Sequence, residues 1–309
     1  MPPLDFTVPE NKRVRMMIDT DCKNEADDQY ALAHHLMTPM LDVRGIIAAH
    51  FETRNADFGE HQTVRASYDE VNLMLRLMGL TGKYPVCLGA DRPMPDEKTP
   101  IISDGARMII EEAMREDDRP LYVAFLGTIT DLASALLLEP RIAGRLTAIW
   151  IGGNPYPQGG WEFNLFQDRH AANVVFASGV ALWQVPQNVY KTITVSLAEL
   201  QYRVAPCGEV GDYLFRQLVA FNDFAAGWPN WPRGETWCLG DTPSVGVLLQ
   251  DPENITWTMQ PAPHVEADYH YTFPGCTHQI RVYDSVDVRL MLEDFYAKLA
   301  LHYPPAWQK

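Results

Sequence analysis

The chain reads as an α/β protein: an open, mostly parallel, doubly wound sheet flanked by helices, with a small C-terminal elaboration. Three observations predict this. Short apolar runs bounded by Gly and Pro alternate with longer amphipathic segments, the pattern of βαβ units and so of a parallel sheet. No internal repeat, low-complexity run or linker interrupts it, so residues 1–309 are expected to form one domain. Past Asn254 the segments shorten and become β-like, through NITWTMQ and HQIRVYD.

Taken in order, the expected strands are Val14–Thr20, Val43–Ala49, Tyr84–Leu88, Leu121–Leu126, Leu146–Ile151 and Ala181–Val185. The expected helices are Glu25–Met37, Thr63–Met78, Ile101–Arg115, Thr130–Leu138, Asp168–Ala177, Gly208–Phe224, Thr242–Leu249 and Ser285–Leu301. Between the last two helices but one, GWPNWPRGETWCLG (Gly227–Gly240) reads as a loop from its Pro and Gly content.

Bulk properties narrow the function. A chain of 309 residues, 47% of them hydrophobic, can bury a large core. No window approaches the ~18 continuous apolar residues of a membrane span. The opening MPPLDFTVPENKR has no apolar stretch of the kind found in secretory signals. Cys22, Cys87, Cys207, Cys238 and Cys276 are scattered and form no CxxC pair, which reads as reduced thiols. A cytoplasmic protein is the expectation. The net charge of −15 argues against a nucleic-acid partner, whose binding draws on basic surface. It suits an enzyme whose site concentrates a cation.

The chemistry starts in MMIDTDCKNEADDQYALAHHL, Met16–Leu36. Asp19, Asp21, Glu25, Asp27 and Asp28 fall within ten residues, where an apolar strand gives way to a helix. In open α/β sheets, ligands bind at the carboxyl ends of strands. Acidic residues in a first helical turn are favoured by the helix dipole, so ordinary capping accounts for part of the cluster. It does not account for Asp19 and Asp21, which follow directly on the strand. Converging carboxylates repel unless a cation sits between them. A hard cation with oxygen ligands, Ca²⁺ or Mg²⁺, meets that need.

IDTDCKNEADDQYAL resembles the opening motif of the nucleoside hydrolases, DTDPGxDDxxAL. The resemblance continues in order through LGTITDLASALLLEP, IGGNPYPQGGWEFNLFQDRHAANVVFASG and LGDTPSVGVLL, from Asp19 to Leu249. It implies a nucleoside hydrolase-like fold and calcium-dependent hydrolysis of the N-glycosidic bond of ribonucleosides, releasing base and ribose, as in purine and pyrimidine salvage. Matched position by position, Asp21 is implied to bind Ca²⁺ and to act as base toward the attacking water. Asp28 and Asp241 are implied metal ligands, and Thr130 is implied to give its backbone carbonyl. Asp27 is implied to hold ribose hydroxyls, with Glu162 and Asn164 of the EFN block gripping the sugar. Asp19 is implied to stand behind the ligands. Relatives are commonly homodimers or homotetramers, so a homo-oligomer acting on a small-molecule nucleoside or ribosyl substrate is implied too.

Three departures from that pattern matter. The loop between Asp21 and Asp27 holds five residues, Cys22–Ala26, where the motif has three. It reads as a bulged turn, and it brings Lys23 or Glu25 near the site, Glu25 being placed to join the sugar or metal shell. Gly240 stands where many members have a histidine that protonates the departing base. Trp228, Trp231 and Trp237 precede it, and stacking of the base on Trp237 is one replacement; loop packing is the other reading. The asparagine expected after the second strand has no clear match in AAHFETRN. His50, Glu52 and Asn55 compete for the place, with His50 at the expected strand end. Asn154 is the candidate for the asparagine of the shortened NPYPQGGW segment.

Other residues attract plainer readings. His34 and His35 fall mid-helix and read as packing. Cys22 reads as a structural thiol. His278 qualifies as a substitute acid only if the C-terminal region folds over the site. Two rival functions remain open on sequence: a Mg²⁺-dependent phosphatase of the haloacid-dehalogenase type, which also opens on a strand ending in DxD, and a non-hydrolytic or differently specific ribosyl-binding homologue.

Overall fold

The computed structural model describes residues 4–228, 232–250, 253, 255–275 and 278–305. Asn254, Trp231 and Cys276, singled out above, lie outside the described residues. The strands run β1 Val14–Thr20, β2 Leu41–Ala48, β3 Val86–Leu88, β4 Leu121–Phe125, β5 Thr147–Ile151, β6 Ala181–Val185, β7 Thr194–Ser196, β8 Thr236–Cys238, β9 Thr256–Pro261, β10 His264–Val265, β11 Tyr271–Thr272 and β12 Gln279–Ser285. Eight of them form one sheet, in the order β3-β2-β1-β4-β5-β6-β12-β9. Every pairing in it is parallel except β12 with β9 at one edge. The expected mostly parallel sheet is therefore present, and β9 with β12 forms the C-terminal elaboration.

Alternation along the strands sorts side chains to two cores, one on each face. Met16, Ile18, Ala124 and Ile149 pack on one side. Met17, Val123, Phe125, Ala148 and Trp150 pack on the other. Strands buried on both faces read as continuous apolar runs, which is why VRMMI and LYVAFL stand out in the sequence. Chain order reverses at β1: β2 and β3 are added on one side of it, β4 to β6 on the other. The carboxyl ends of β1 and β4 thus form a topological switch point, where such folds place a ligand crevice.

Several helix boundaries shift from their expected places, each for a local reason. The first helix begins at Asp28, not Glu25. Asn24 donates both its backbone N–H to the Asp21 carbonyl, at 2.7 Å, and its amide to the Asp21 carboxylate, at 2.7 Å. Arg54 grips the Asn24 carbonyl, and Gln217 holds that of Ala26 at 2.8 Å. Side-chain bonds of this kind compete with helical ones. Ser103 caps the helix Asp104–Ala113 through Ala106 N, which excludes Ile101 to Ser103. Asp168 caps Arg169–Ala177 in the same way. Ser285 ends β12, and the last helix, Val288–His302, starts after its cap Asp287. The expected loop Gly227–Gly240 contains β8, which pairs antiparallel with β7.

Candidate active site

The site is assembled from the ends of β1, β4 and β5 and from the segment after β8. Past β1, Asp21 and the turn to Asp28 line a narrow pit with Glu162, Asn164 and Asp241. The pit has a volume of about 50 Å³. On the same measure a single water needs about 10–15 Å³, so the pit has room for an ion and a few waters. One wall opens into a second cavity of about 410 Å³, lined by Trp161, Phe163, Tyr190, Lys191, Trp237 and Cys238 among others. Glu25, Asp27, Phe163, Tyr190 and Gly240 line both and form the seam between them.

Carboxylate oxygens of Asp27, Asp28 and Asp241 lie within 4.8 Å of one another. Asp21 is not in that trio but lines the same pit, within hydrogen-bonding reach of Asp28. Thr20 Oγ1 donates to Asp28 Oδ1 at 2.5 Å. Burial disfavours these charges. It is the largest influence in pushing Asp21 up to about 6 and Asp27 up to about 7, with Asn24 pulling Asp21 back down. Burial and then the neighbouring aspartates raise Asp28 and Asp241 well above the usual carboxylate range. Such a set is costly unless a cation compensates it. The donors are all oxygens, which fits a hard divalent ion. Among the described residues, this trio is the one carboxylate, thiol or imidazole group close enough to hold a metal.

Around the trio, the EFN block performs two jobs. Glu162 caps the helix Phe163–Gln167 through Leu165 N at 2.9 Å and also accepts from Gly153 N at 2.8 Å. Its other oxygen accepts from Tyr190 OH at 2.7 Å. Asn164 donates to the carbonyls of Leu126, at 2.7 Å, and Ile151, at 2.8 Å, so it ties the ends of β4 and β5 together while facing the pit. Glu25 lines both cavities, and burial raises its carboxyl well above the usual range.

Four expected site residues are not among those lining either cavity. His50 is fully buried, with Nε2 3.0 Å from Thr130 Oγ1, and burial drives it down to about 3. It is a neutral structural group, not an extra polar contact for substrate. Thr130 directs its hydroxyl to Asp168 at 2.8 Å at the start of its helix. Asn154 spends its amide on the Trp161 carbonyl at 2.6 Å, and its backbone N–H bonds Tyr271 OH at 3.1 Å. Asp19 is buried behind the pit, and neither carboxylate oxygen has a hydrogen-bond partner. Trp237 does line the wide cavity, but it is 2% exposed and its ring packs edge-on against Phe221. His34 and His35 are buried in their helix, bonded to Asp294 and to the Ala31 carbonyl. His278 lies beside the β9–β12 pair, its carbonyl accepting from Ala262 N. The sequence offered no signal for Tyr190 or Asn24, beyond their places just after β6 and β1.

Residues 16–293 match the model of the family described as inosine-uridine preferring nucleoside hydrolase. The chain belongs to this family. The reaction class follows: it is an N-ribosyl hydrolase, and the phosphatase alternative is set aside. The pyrimidine-specific ribonucleoside hydrolase RihA of Salmonella paratyphi A is 25% identical over 268 residues, covering 78% of each chain. Two solved structures share the fold. A plant nucleoside hydrolase superposes with a TM-score of 0.75 at 18% identity, over 94% of this chain and 99% of that one. The purine-preferring ribonucleoside hydrolase of Gardnerella vaginalis gives 0.75 at 17% identity, over 94% and 99%.

Proposed function

We propose that this nucleoside hydrolase uses Ca²⁺ held by Asp21, Asp27, Asp28 and Asp241 to cleave ribonucleosides into base and ribose. The observation that carries the reading is the buried convergence of Asp27, Asp28 and Asp241 at the switch point of the sheet. A cation held there would supply the positive charge the carboxylates lack and would acidify a bound water. Asp21 lines the same pit beside the trio and within reach of Asp28, and is both a ligand and the base that takes that water's proton. Glu162 and Asn164 hold ribose hydroxyls, and the acidic walls stabilise positive charge developing on the sugar ring as the bond to the base breaks. The base occupies the wide aromatic cavity. The backbone carbonyl of Thr130 and the buried Asp19 support the ligands from behind.

Base preference does not follow from relatives, one of which is named pyrimidine-specific and another purine-preferring. The test is metal content of the purified protein, then ribose release from a panel of nucleosides with and without chelator. Bound calcium and chelator-sensitive release are expected, and Asp21→Ala is expected to abolish release while leaving the protein folded. Near-normal turnover in Asp21→Ala would sink the mechanism.

A further inference from the structure

We propose that the site favours ribosides whose base already carries a fixed positive charge, an N-alkylated purine or a pyridinium; this rests on the reading of the pit as a ribosyl site. The first observation is at the seam. A Cβ built on Gly240 would lie 3.0 Å from Tyr190 Cδ2 and 3.4 Å from Asp27 Oδ2. The Tyr190 ring fills the space that a proton-donating side chain at 240 would need. Tyr190 itself is committed, its hydroxyl donating to Glu162 at 2.7 Å.

The second observation is charge. Six carboxyl groups line the two cavities: Asp21, Glu25, Asp27, Asp28, Glu162 and Asp241. The basic side chain among the lining residues is the exposed Lys191. A bound divalent cation deprotonates the carboxyls that hold it, and its two charges do not match the number of carboxyl groups around it. A neutral base that departs unprotonated carries an anion into this field, and the repulsion raises the barrier. A cationic base avoids this. When C1′–N breaks, the bonding pair passes to the ring nitrogen and cancels its charge, so the base leaves neutral with no proton from the protein. The water oxygen bonds C1′, and its proton goes to Asp21 and then to solvent. One proton is released per turnover, balancing the lost positive charge.

The third observation is the walls. Trp161, Phe163, Tyr190 and Trp237 line the wide cavity beside Glu25 and Asp27. Aromatic faces next to carboxylates suit a flat heteroaromatic cation, whose attraction to the ring faces grows when the site is desolvated.

The experiment measures kcat/KM of the calcium-loaded protein for guanosine, uridine, N7-methylguanosine and nicotinamide riboside. Each value is divided by that compound's uncatalysed rate in the same buffer, which removes the intrinsic lability of charged ribosides. At least one cationic riboside is expected to exceed both neutral nucleosides by about 100-fold on this scale. If neither does while the neutral nucleosides are hydrolysed, the inference fails and the N-ribosyl hydrolase reading stands. If none of the four is hydrolysed, both fail together.

Discussion

The narrow pit and the wide cavity meet at five shared residues but are built differently. The pit sits on the parallel sheet: Asp21 follows β1, and Asn164 clamps the carbonyls after β4 and β5. Its groups are positioned by strand ends that the whole core holds in place. The wide cavity is walled by turns, by the short helices Phe163–Gln167 and Gln187–Tyr190 and by the two-stranded β7–β8 ribbon, with Trp161 half exposed. Rigid elements place groups more closely than loops do. On the proposed reading, the contrast separates what must be fixed, the cation and the sugar, from what can vary between relatives, the base.

The sharpest way to break this contrast is to remove one carboxylate of the trio. Asp28→Asn keeps the shape and the acceptor for Thr20 but deletes a charge. Ribose release is expected to fall about 10³-fold, with weaker calcium binding measured by calorimetry on chelator-treated protein. A loss confined to base preference, with calcium affinity intact, would show that the pit and the wide cavity do not divide the work.

A smaller effect is expected at the seam. Gly240→His forces its Cβ against the Tyr190 ring, so kcat/KM is expected to drop by 10- to 100-fold, roughly the ~1–3 kcal/mol cost of overpacking a tight site. Adding Tyr190→Ala opens the space and is expected to recover part of the loss. The double-mutant cycle then shows coupling, as neighbours in contact do. Simply additive losses would mean that residues 190 and 240 do not compete for one space.

The sequence made the pit far more legible than the cavity, and the reason is physical. Strands buried on both faces leave unbroken apolar runs, and the acidic residues at their ends interrupt those runs visibly. Asp21, Asp27, Asp28, Glu162, Asn164 and Asp241 were all marked in this way or by the resemblance, and all line the pit. Where single residues are placed only by distance along the chain, side-chain direction is not legible. His50 sits near a strand end, yet its ring turns inward to Thr130. Asn154 follows the right glycines, yet its amide closes a turn onto Trp161. Tyr190 reaches the seam through a four-residue helix, Gln187–Tyr190, that no periodicity announces. Side-chain direction in turns depends on local hydrogen bonds that spacing does not encode.

The smallest expected effect concerns stability, and it probes the pit without substrate. Asp21 and Asp27 titrate near 6 and 7 in the folded protein, against a usual value of 3.8. Carboxyl groups raised by folding hold protons more tightly in the native state than in the unfolded one. The native state then binds more protons, so stability is greatest at low pH and falls as pH rises from about 4 through 7. Chelator-treated protein is therefore expected to lose on the order of 5 °C in melting temperature between pH 5 and pH 8. On the proposed reading added calcium binds the ionised, folded pit, and it is expected to reverse the loss most strongly at pH 8. The aromatic wall of the wide cavity carries none of these titrating groups, and Trp161→Ala, at a half-exposed position, is expected to leave this pH dependence unchanged. A chelated protein that grows more stable from pH 5 to 8 would mean that the carboxylates are compensated by partners within the chain, and the case for a resident cation would lose its electrostatic basis.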